Sequence, residues 1–185
     1  IMGIDSSEDM LYVAKEKSLK MGLSIPFIHQ DIRSLSLHRP VDAIICMCDG
    51  FNYILSDHEL VSAFQNVYKF LNDGGLFIFD ISSYYKLENI LGDNLMADAS
   101  EEISLILFNT FDTEDSICCM DLTFFVREDD RYIRFDETHY QRAYKLRDVK
   151  NMLEETGFSN IRVYNPFTFE LPQLGDQRWV FVADK

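Results

Sequence analysis

The first half of the chain alternates between short apolar runs and segments with helical spacing. The apolar runs predict four strands, over residues 1–4, 26–30, 41–47 and 76–79. The third run, VDAIICM, is almost continuously apolar, which is typical of a strand buried on both faces. Ser6 and Asp9 resemble a capping box that would begin one helix, and Ser56 and Glu59 resemble another. This strand–helix–strand order predicts a mainly parallel sheet with helices on its faces.

The pattern changes in the second half of the chain. From about Glu102 to Tyr144, three runs rich in β-branched and aromatic residues are separated by polar turns at 112–115 and 128–130. We interpret these runs as an antiparallel meander inserted into the α/β unit. A further helix is predicted over Leu146–Thr156, followed by strands over 160–164 and 178–183. The sequence therefore predicts one α/β domain with an antiparallel insertion.

Composition and charge narrow the classes of function. The chain has 185 residues, of which 47% are hydrophobic, so it can build a substantial core. Its 17 basic and 31 acidic side chains give a net charge of −14, which repels nucleic-acid phosphates and anionic membrane surfaces. No apolar stretch approaches the roughly 20 residues that span a bilayer. Neither nucleic acid nor a membrane is expected as a partner.

The cysteines and histidines predict no metal site. Cys46, Cys48, Cys118 and Cys119 lie in strand-like apolar runs and lack the usual structural zinc spacings. The four histidines are scattered along the chain. Residues 1–5 resemble neither a signal peptide nor a transit peptide. We therefore expect reduced thiols in a cytoplasmic protein.

An aspartate follows each predicted strand of the first half: Asp5, Asp31, Asp49 and Asp80. In open parallel sheets, ligands bind beyond the carboxyl ends of the strands. A carboxylate there can accept hydrogen bonds from both hydroxyls of a ribose, and Asp5 is the best-placed candidate. Asp5 could equally serve only to cap the following helix. Asp31, beside the aliphatic Ile32, could accept from an adenine amino group or be a solvated loop acid.

Four segments, in this order, resemble motifs of the class I S-adenosylmethionine-dependent methyltransferases: GIDSSEDMLYVA at 3–14, QDIR at 30–33, DGFNY at 49–53 and LNDGGLF at 71–77. The first two resemble the second and third motifs of the family. The last two resemble the segment after the fourth strand and the L-x-x-G-G approach to the fifth. Within the predicted meander, RFDE at 134–137 and RAY at 142–144 further resemble a bacterial subgroup that methylates small molecules.

The resemblance implies a Rossmann-like fold, S-adenosylmethionine as cofactor and methyl transfer to a small-molecule acceptor. The implied cofactor-binding residues are Asp5, Ser6, Met10, Asp31, Ile32, Cys48 and Asp49. Asp5 would hold the ribose hydroxyls and Met10 would pack near the adenosine. Asp31 would accept from the adenine amino group, and Ile32 would cover the ring.

The resemblance also suggests residues around the methyl group. Cys48 and Asp49 would lie beside the methionine portion or the sulfonium of the cofactor. Tyr53 and Tyr84 are candidates for the acceptor side of the pocket, although both could instead be packing aromatics. No catalytic residue is assigned, because methyl transfer from an activated sulfonium requires mainly alignment of the reacting atoms.

One family motif has no counterpart in this sequence. None of the eight glycines forms the glycine-rich turn that follows the family's first strand, and no strand precedes residues 1–4. In the family's sheet that strand lies between the strands predicted at 1–4 and 41–47, whose backbone groups would otherwise lack partners. We expect residues 1–185 to be a single methyltransferase-like domain, incomplete at its N-terminus, that binds the cofactor poorly alone. Pairing with a second copy is the alternative way to close the sheet.

Two other functions remain compatible with these residues. A methyltransferase-like module without the glycine loop could survive as an inactive interaction partner. A nicotinamide-dependent oxidoreductase would also place an acid after its second strand, although no Tyr-x-x-x-Lys element is present. The apolar meander strands could mediate a homodimer.

Overall fold

Three hydrogen-bonded groups of strands and three α-helices make up the structure, a computed structural model that describes residues 1–185. The helices are α1 (Glu8–Lys20), α2 (Asp57–Phe70) and α3 (Leu146–Thr156). None of them combines the length and the apolar character needed to cross a bilayer. The strands are β1 (Gly3–Asp5), β2 (Phe27–His29), β3 (Val41–Cys46), β4 (Leu71–Ser82), β5 (Leu95–Ala99), β6 (Ile103–Asp112), β7 (Ile117–Glu128), β8 (Arg131–Arg142), β9 (Ser159–Tyr164) and β10 (Arg178–Asp184). Shorter helical segments are Ile32–Ser34, Gly50–Tyr53 and the π-helical Lys86–Leu91.

The main sheet has the strand order β3-β4-β10-β9. β3 and β4 are parallel, whereas β10 runs antiparallel to both β4 and β9. β1 and β2 form a separate parallel pair, in which Asp5 lies opposite His29. β1 pairs only with β2, and β3 only with β4, so each of them keeps one unpaired main-chain edge. The parallel pairing is thus confined to two strand pairs, both in the part of the chain that carries the predicted site.

β3 is not buried on both faces, so this part of the sequence prediction was wrong. Ile44 and Cys46 pack against the core, but Ile45 is 64% exposed and Met47 is 46% exposed. The apolar pattern shows only that these side chains favour burial. No helix or strand of the structure packs on this face of β3, so Ile45 and Met47 stay exposed.

Most helix ends lie at or next to the capping residues predicted from the sequence. Ser56 accepts a hydrogen bond from the Glu59 N–H and begins α2, as predicted. α1 is capped by Ser7 rather than Ser6, with Ser7 Oγ accepting from the Met10 N–H at 3.2 Å. The predicted start was one residue early, because the Asp5 carboxylate accepts from the Ser7 N–H and sets that residue as the cap. Gly157 ends α3 in the left-handed conformation, with φ +113°.

Buried phenylalanines form the centre of the core between α2 and the main sheet: Phe51, Phe64, Phe77, Phe79 and Phe181. The rings of Phe79 and Phe181 stack with centroids 4.9 Å apart, and Phe51 lies 5.0 Å from Phe79. Burying one such side chain stabilises the fold by about 1.5–3 kcal/mol. Because Phe51 lies in the short helix after β3, this packing anchors the segment that follows the carboxyl end of that strand.

β5–β8 form a separate four-stranded antiparallel sheet. The meander starts at Leu95 rather than near residue 102, and it has four strands rather than three. The sequence pattern missed β5 because all of its side chains are exposed and show no alternation. A small second core, containing Leu87, Cys118 and Met120, joins the π-helical segment to this sheet.

The single tryptophan, Trp179, lies in β10 and packs against the main core. It follows Arg178, the first residue of the strand. Its indole N–H is buried and has no hydrogen-bond acceptor.

Candidate functional site

The turn after β3 has an unusual backbone. Cys48 and Asp49, neither of them glycine, have φ angles of +67° and +52°. Left-handed backbone costs a residue with a Cβ about 1–2 kcal/mol. The turn is held by the Asp49 N–H, which donates to Asp80 Oδ1 at 2.8 Å. Strain of this kind is typical of binding and catalytic loops.

The Asp49 side chain is the centre of a polar network. Its Oδ1 accepts from Arg178 Nη2 at 3.0 Å, and its Oδ2 accepts from Gln141 at 3.0 Å and Ser82 at 3.1 Å. Burial alone would raise the pKa of Asp49, but the hydrogen bonds from Gln141 and Arg178 and the charges of Arg178 and Lys86 lower it below its ordinary value. Asp49 is therefore a fixed, ionised carboxylate at the carboxyl end of β3.

Arg178 also binds the next acid in the sheet. Its Nη1 donates to Asp80 Oδ2 at 2.5 Å, and the Asp80 side chain is 4% exposed. Lys86 lies beside this pair and donates to Ser82 Oγ at 3.1 Å. Burial lowers the pKa of Lys86, and the charge of Asp49 opposes that shift. Sequence reasoning missed both residues: Arg178 reaches the site from β10, and Lys86 comes from the segment that follows β4, where no predicted motif marked it.

Asp5 lies at the carboxyl end of β1. Its Oδ1 accepts from the Ser7 N–H at 2.9 Å, while its Oδ2 has no protein donor. Both predicted roles are therefore compatible with the structure, since one oxygen supports the helix start and the other is available to a ligand. Ser6 and Met10 are exposed close by, Met10 at 58%.

Asp31 follows β2 at the same edge, and the Gln30 N–H beside it donates to the Asp5 carbonyl at 3.0 Å. The Asp31 carboxylate is already engaged: Arg33 donates to it from Nε, Nη2 and its backbone N–H. Hydrogen bonds from Arg33 lower the pKa of Asp31. Ile32 packs partly against the core. The structure thus brings Asp5 and Asp31 to one edge and gives Asp31 a partner that sequence reasoning did not include.

Cys46, the last residue of β3, carries a half-buried thiol. Burial raises the pKa of its thiol to about 12, and the charges of Asp80 and Asp5 add to the shift. Asp5 lies at the end of β1, and Asp49 follows β3 in the turn after it.

The two predicted acceptor-side tyrosines lie in different surroundings. Tyr53 is 47% exposed at the end of the short helix after β3, and its hydroxyl is 3.1 Å from His139 Nδ1 of β8. Tyr84 instead packs on Phe111, and its hydroxyl is 3.4 Å from Ser116 Oγ at the turn before β7. Tyr84 lines a polar cleft of about 160 Å³ next to α3.

His139 had no role in the sequence analysis. The signal that could have found it is the period-two spacing of Glu137, His139 and Gln141, which places all three on one face of β8.

Acids at the carboxyl edge of parallel strands in an α/β fold are typical of Rossmann-like proteins that bind nucleosides. A family model described as a methyltransferase domain matches residues 1–75. A protein of Bacillus subtilis named "Putative methyltransferase YqeM" is 33% identical over the whole chain, which spans 75% of that relative. A relative from Geobacillus, named in the same terms, is 35% identical with the same coverage. The chain belongs to the S-adenosylmethionine-dependent methyltransferases.

Solved structures agree with this assignment. A crystal structure of an S-adenosylmethionine-dependent methyltransferase from Clostridium acetobutylicum is 35% identical, with a TM-score of 0.93 over 98% of this chain and 73% of that one. The amino pentose methyltransferase CalS10 from Micromonospora echinaspora, solved with its cofactor, shares the fold at 16% identity and a TM-score of 0.74. The predicted Rossmann-like fold, methyltransferase class and cofactor are confirmed. These relatives support neither the oxidoreductase nor the inactive module.

Proposed function

We propose that this methyltransferase acts on a small-molecule acceptor and holds S-adenosylmethionine at the edge where β1, β2 and β3 end. The observation that carries the proposal is the position of Asp5: one carboxylate oxygen supports α1, and the other faces outward without a partner. The strained Cys48–Asp49 turn lies at the end of the neighbouring parallel pair. These residues fit the ribose and the methionine portion of the cofactor.

The adenine end of the proposed site depends on Arg33. A carboxylate has about four lone-pair positions, and the Arg33 side chain and backbone occupy most of those on Asp31. Asp31 can accept from an adenine amino group once the guanidinium gives up one of these bonds. Arg33 can turn away without losing all pairing, because it also donates to Glu59 at 3.0 Å. Ile32 and Met10 would then supply the apolar contacts to the adenosine.

The unpaired edges of β1 and β3 support a further part of the proposal. A strand placed between them would satisfy both sets of backbone groups. The glycine-rich turn of such a strand would approach Asp5 and Cys48 from the same side. We propose that residues 1–185 act as one methyltransferase-like domain whose sheet is completed in this way, by the rest of the same protein or by a second copy.

The chemistry follows from the donor. S-adenosylmethionine supplies a methyl group on a sulfonium that is already a good leaving group. The protein must hold the acceptor in line with that carbon and exclude water, and alignment of this kind lowers a barrier by about 7–11 kcal/mol at best.

The relatives support a small acceptor. A glycine/sarcosine N-methyltransferase from Aphanothece halophytica is 23% identical over the whole chain. The sugar N-methyltransferase KedS8 shares the fold with a TM-score of 0.76. The four free cysteines support the proposed cytoplasmic location, and exposed apolar side chains of the meander, such as Phe108 at 50%, support a homodimer.

Ligand-dependent melting of the full-length protein tests the proposal. S-adenosylmethionine and S-adenosylhomocysteine are expected to raise the melting temperature, because a ligand at 100 times its Kd stabilises the folded state by about 2.7 kcal/mol. NAD is expected to leave it unchanged. A shift with NAD alone would contradict the proposed site.

A further inference from the structure

Tyr53, His139 and Glu137 form a continuous hydrogen-bonded chain. The Tyr53 hydroxyl lies 3.1 Å from His139 Nδ1, and His139 Nε2 lies 3.1 Å from Glu137 Oε2. The Tyr53 and His139 rings meet edge to face, with centroids 5.8 Å apart. These hydrogen bonds join the segment after β3 to the inserted meander.

The direction of these hydrogen bonds follows from the groups involved. An ionised carboxylate only accepts, so His139 Nε2 carries the hydrogen and donates to Glu137. A neutral imidazole then has an acceptor lone pair at Nδ1, and the Tyr53 hydroxyl donates to it. The carboxylate stabilises the imidazolium that would form if Tyr53 passed its proton to the ring.

Tyr53 by itself is not a base. Burial raises the pKa of its hydroxyl, the Gln141 amide opposes the shift, and the charges of Asp49 and Glu137 add to it. At neutral pH Tyr53 is therefore a phenol, and it can take a proton from another molecule only by passing its own to His139.

The hydrogen-bonded chain of Tyr53, His139 and Glu137 is held in place next to the proposed cofactor site. Tyr53 ends the short helix in which Phe51 and Asn52 are fully buried. Asn52 Nδ2 donates to the carbonyls of Ser82 and Arg142, which ties that helix to β4 and β8. Gln141, on the same face of β8 as His139, donates to Asp49. Tyr53 is 47% exposed, so part of its side chain is accessible from solvent.

We propose that Tyr53, His139 and Glu137 form a relay that removes the proton from the methyl acceptor, which is therefore an amine or a hydroxyl compound. This inference rests on the proposed function. The acceptor N–H or O–H bond breaks and its proton goes to Tyr53 Oη, while the Tyr53 proton moves to His139 Nδ1. The new bond between the acceptor atom and the methyl carbon forms as the sulfur–methyl bond of the donor breaks. The imidazolium then releases its proton to water, because the His139 side chain is 34% exposed.

One experiment tests for the relay hydrogen bonds by NMR, without any methyl acceptor. The full-length protein with ¹⁵N-labelled histidine is titrated by NMR, alone and as Tyr53→Phe and Glu137→Gln variants. The expected result is an Nε2–H tautomer for His139, a changed Nε2 shift in Glu137→Gln, and a changed Nδ1 shift in Tyr53→Phe. The charged or titratable groups that face His139 and Tyr53 are Glu137 and Asp49, and the partner across β7 is the uncharged Met120. A His139 resonance that neither variant changes would overturn the relay.

A second experiment reads catalysis, with glycine and methyl glucosaminide as probe acceptors and release of S-adenosylhomocysteine as the signal. Tyr53→Phe, His139→Gln and Glu137→Gln are expected to lower kcat about 100-fold while leaving the KM for S-adenosylmethionine unchanged. Tyr12→Phe and His58→Gln, both on exposed helix surface, are the matched controls. Full activity of the three relay variants would refute the proposal.

The two experiments separate failure of the relay from failure of the proposed function. If the wild-type protein binds S-adenosylmethionine but methylates neither probe, the proposed small amine or hydroxyl acceptor is contradicted. The NMR titration still decides whether the relay exists.

Discussion

Arg178, the first residue of β10, forms an ion pair with Asp49 at 3.0 Å, although the two residues are 129 positions apart in the sequence. The same guanidinium also binds Asp80, which ends the apolar run of β4. One cation from the last strand thus pairs with both acids. The pair is mostly buried, with Arg178 25% and Asp49 18% exposed. This contact fixes the strained turn at Cys48 and Asp49.

Replacing Arg178 is expected to destabilise the protein strongly. Arg178→Met would leave Asp49 and Asp80 without their cation in a mostly buried position, which costs about 3–5 kcal/mol in comparable cases. Urea unfolding measures the change. Arg162→Met is the control, because its pair with Asp184 is more exposed and should contribute less than about 1 kcal/mol. Equal effects of the two substitutions would show that the Arg178 network does not hold the turn.

The network also predicts an acid-dependent loss of stability. Because the pKa of Asp49 is lowered in the folded state, its contribution is complete above the unfolded value of 3.8 and is lost as the pH falls through the folded value. The difference in unfolding free energy between wild type and Asp49→Asn should therefore be largest at pH 7 and shrink below about pH 4. The exposed Asp73→Asn is the control. A difference that stays constant from pH 7 to pH 3 would contradict the assignment.

Asp5 is expected to control cofactor affinity rather than folding. In Asp5→Asn the side chain keeps an oxygen that can accept from the Ser7 N–H, but the charged acceptor for a ribose is lost. Hydrogen bonds to charged groups contribute about 1.5–3 kcal/mol, so the Kd of the full-length protein for S-adenosylmethionine should rise about 10- to 100-fold. Calorimetry measures this, with Asp9→Asn on the exposed side of α1 as control. An unchanged Kd would remove Asp5 from the site.

The cysteines offer a chemical test of the same site. Cys48 is exposed, whereas burial raises the pKa of Cys46 to about 12 and that of Cys118 to about 11. Iodoacetamide should therefore label Cys48 much faster than Cys46 or Cys118, because only thiolates react appreciably. S-adenosylmethionine should slow the labelling of Cys48 and leave that of Cys119, on the meander, unchanged. Mass spectrometry resolves the four sites, and equal protection of Cys48 and Cys119 would indicate a global effect.

Local signals in the sequence predicted most of the elements. The capping pair at Ser56 and Glu59, the stop at Gly157 and the apolar runs at the strand positions all depend on neighbouring residues, so one sequence suffices to find them. The burial of individual side chains was harder to predict from the sequence. The apolar character of β3 did not reveal that Ile45 would be 64% exposed, because burial also depends on which elements lie opposite.

The candidate site shows the same contrast between residues marked by local signals and residues that come from distant elements. Asp5, Asp31 and Asp49 could be proposed as site residues because each comes within two residues of the end of a predicted strand. Arg33 was overlooked as the partner of Asp31, even though it is only two residues away, because side-chain pairing in a short turn leaves no periodic pattern. Arg178 and His139 come from β10 and β8, and no local signal connects them to the turn after β3.

Trp179 turns the last strand into an optical reporter. It is the single tryptophan of the chain, so all indole emission arises beside Arg178. An indole whose N–H is buried without a hydrogen-bond acceptor emits at shorter wavelength than a hydrated one, and its red shift would mark the moment at which β10 leaves the sheet. Fluorescence can thus time the opening of the Asp49 turn without any added label.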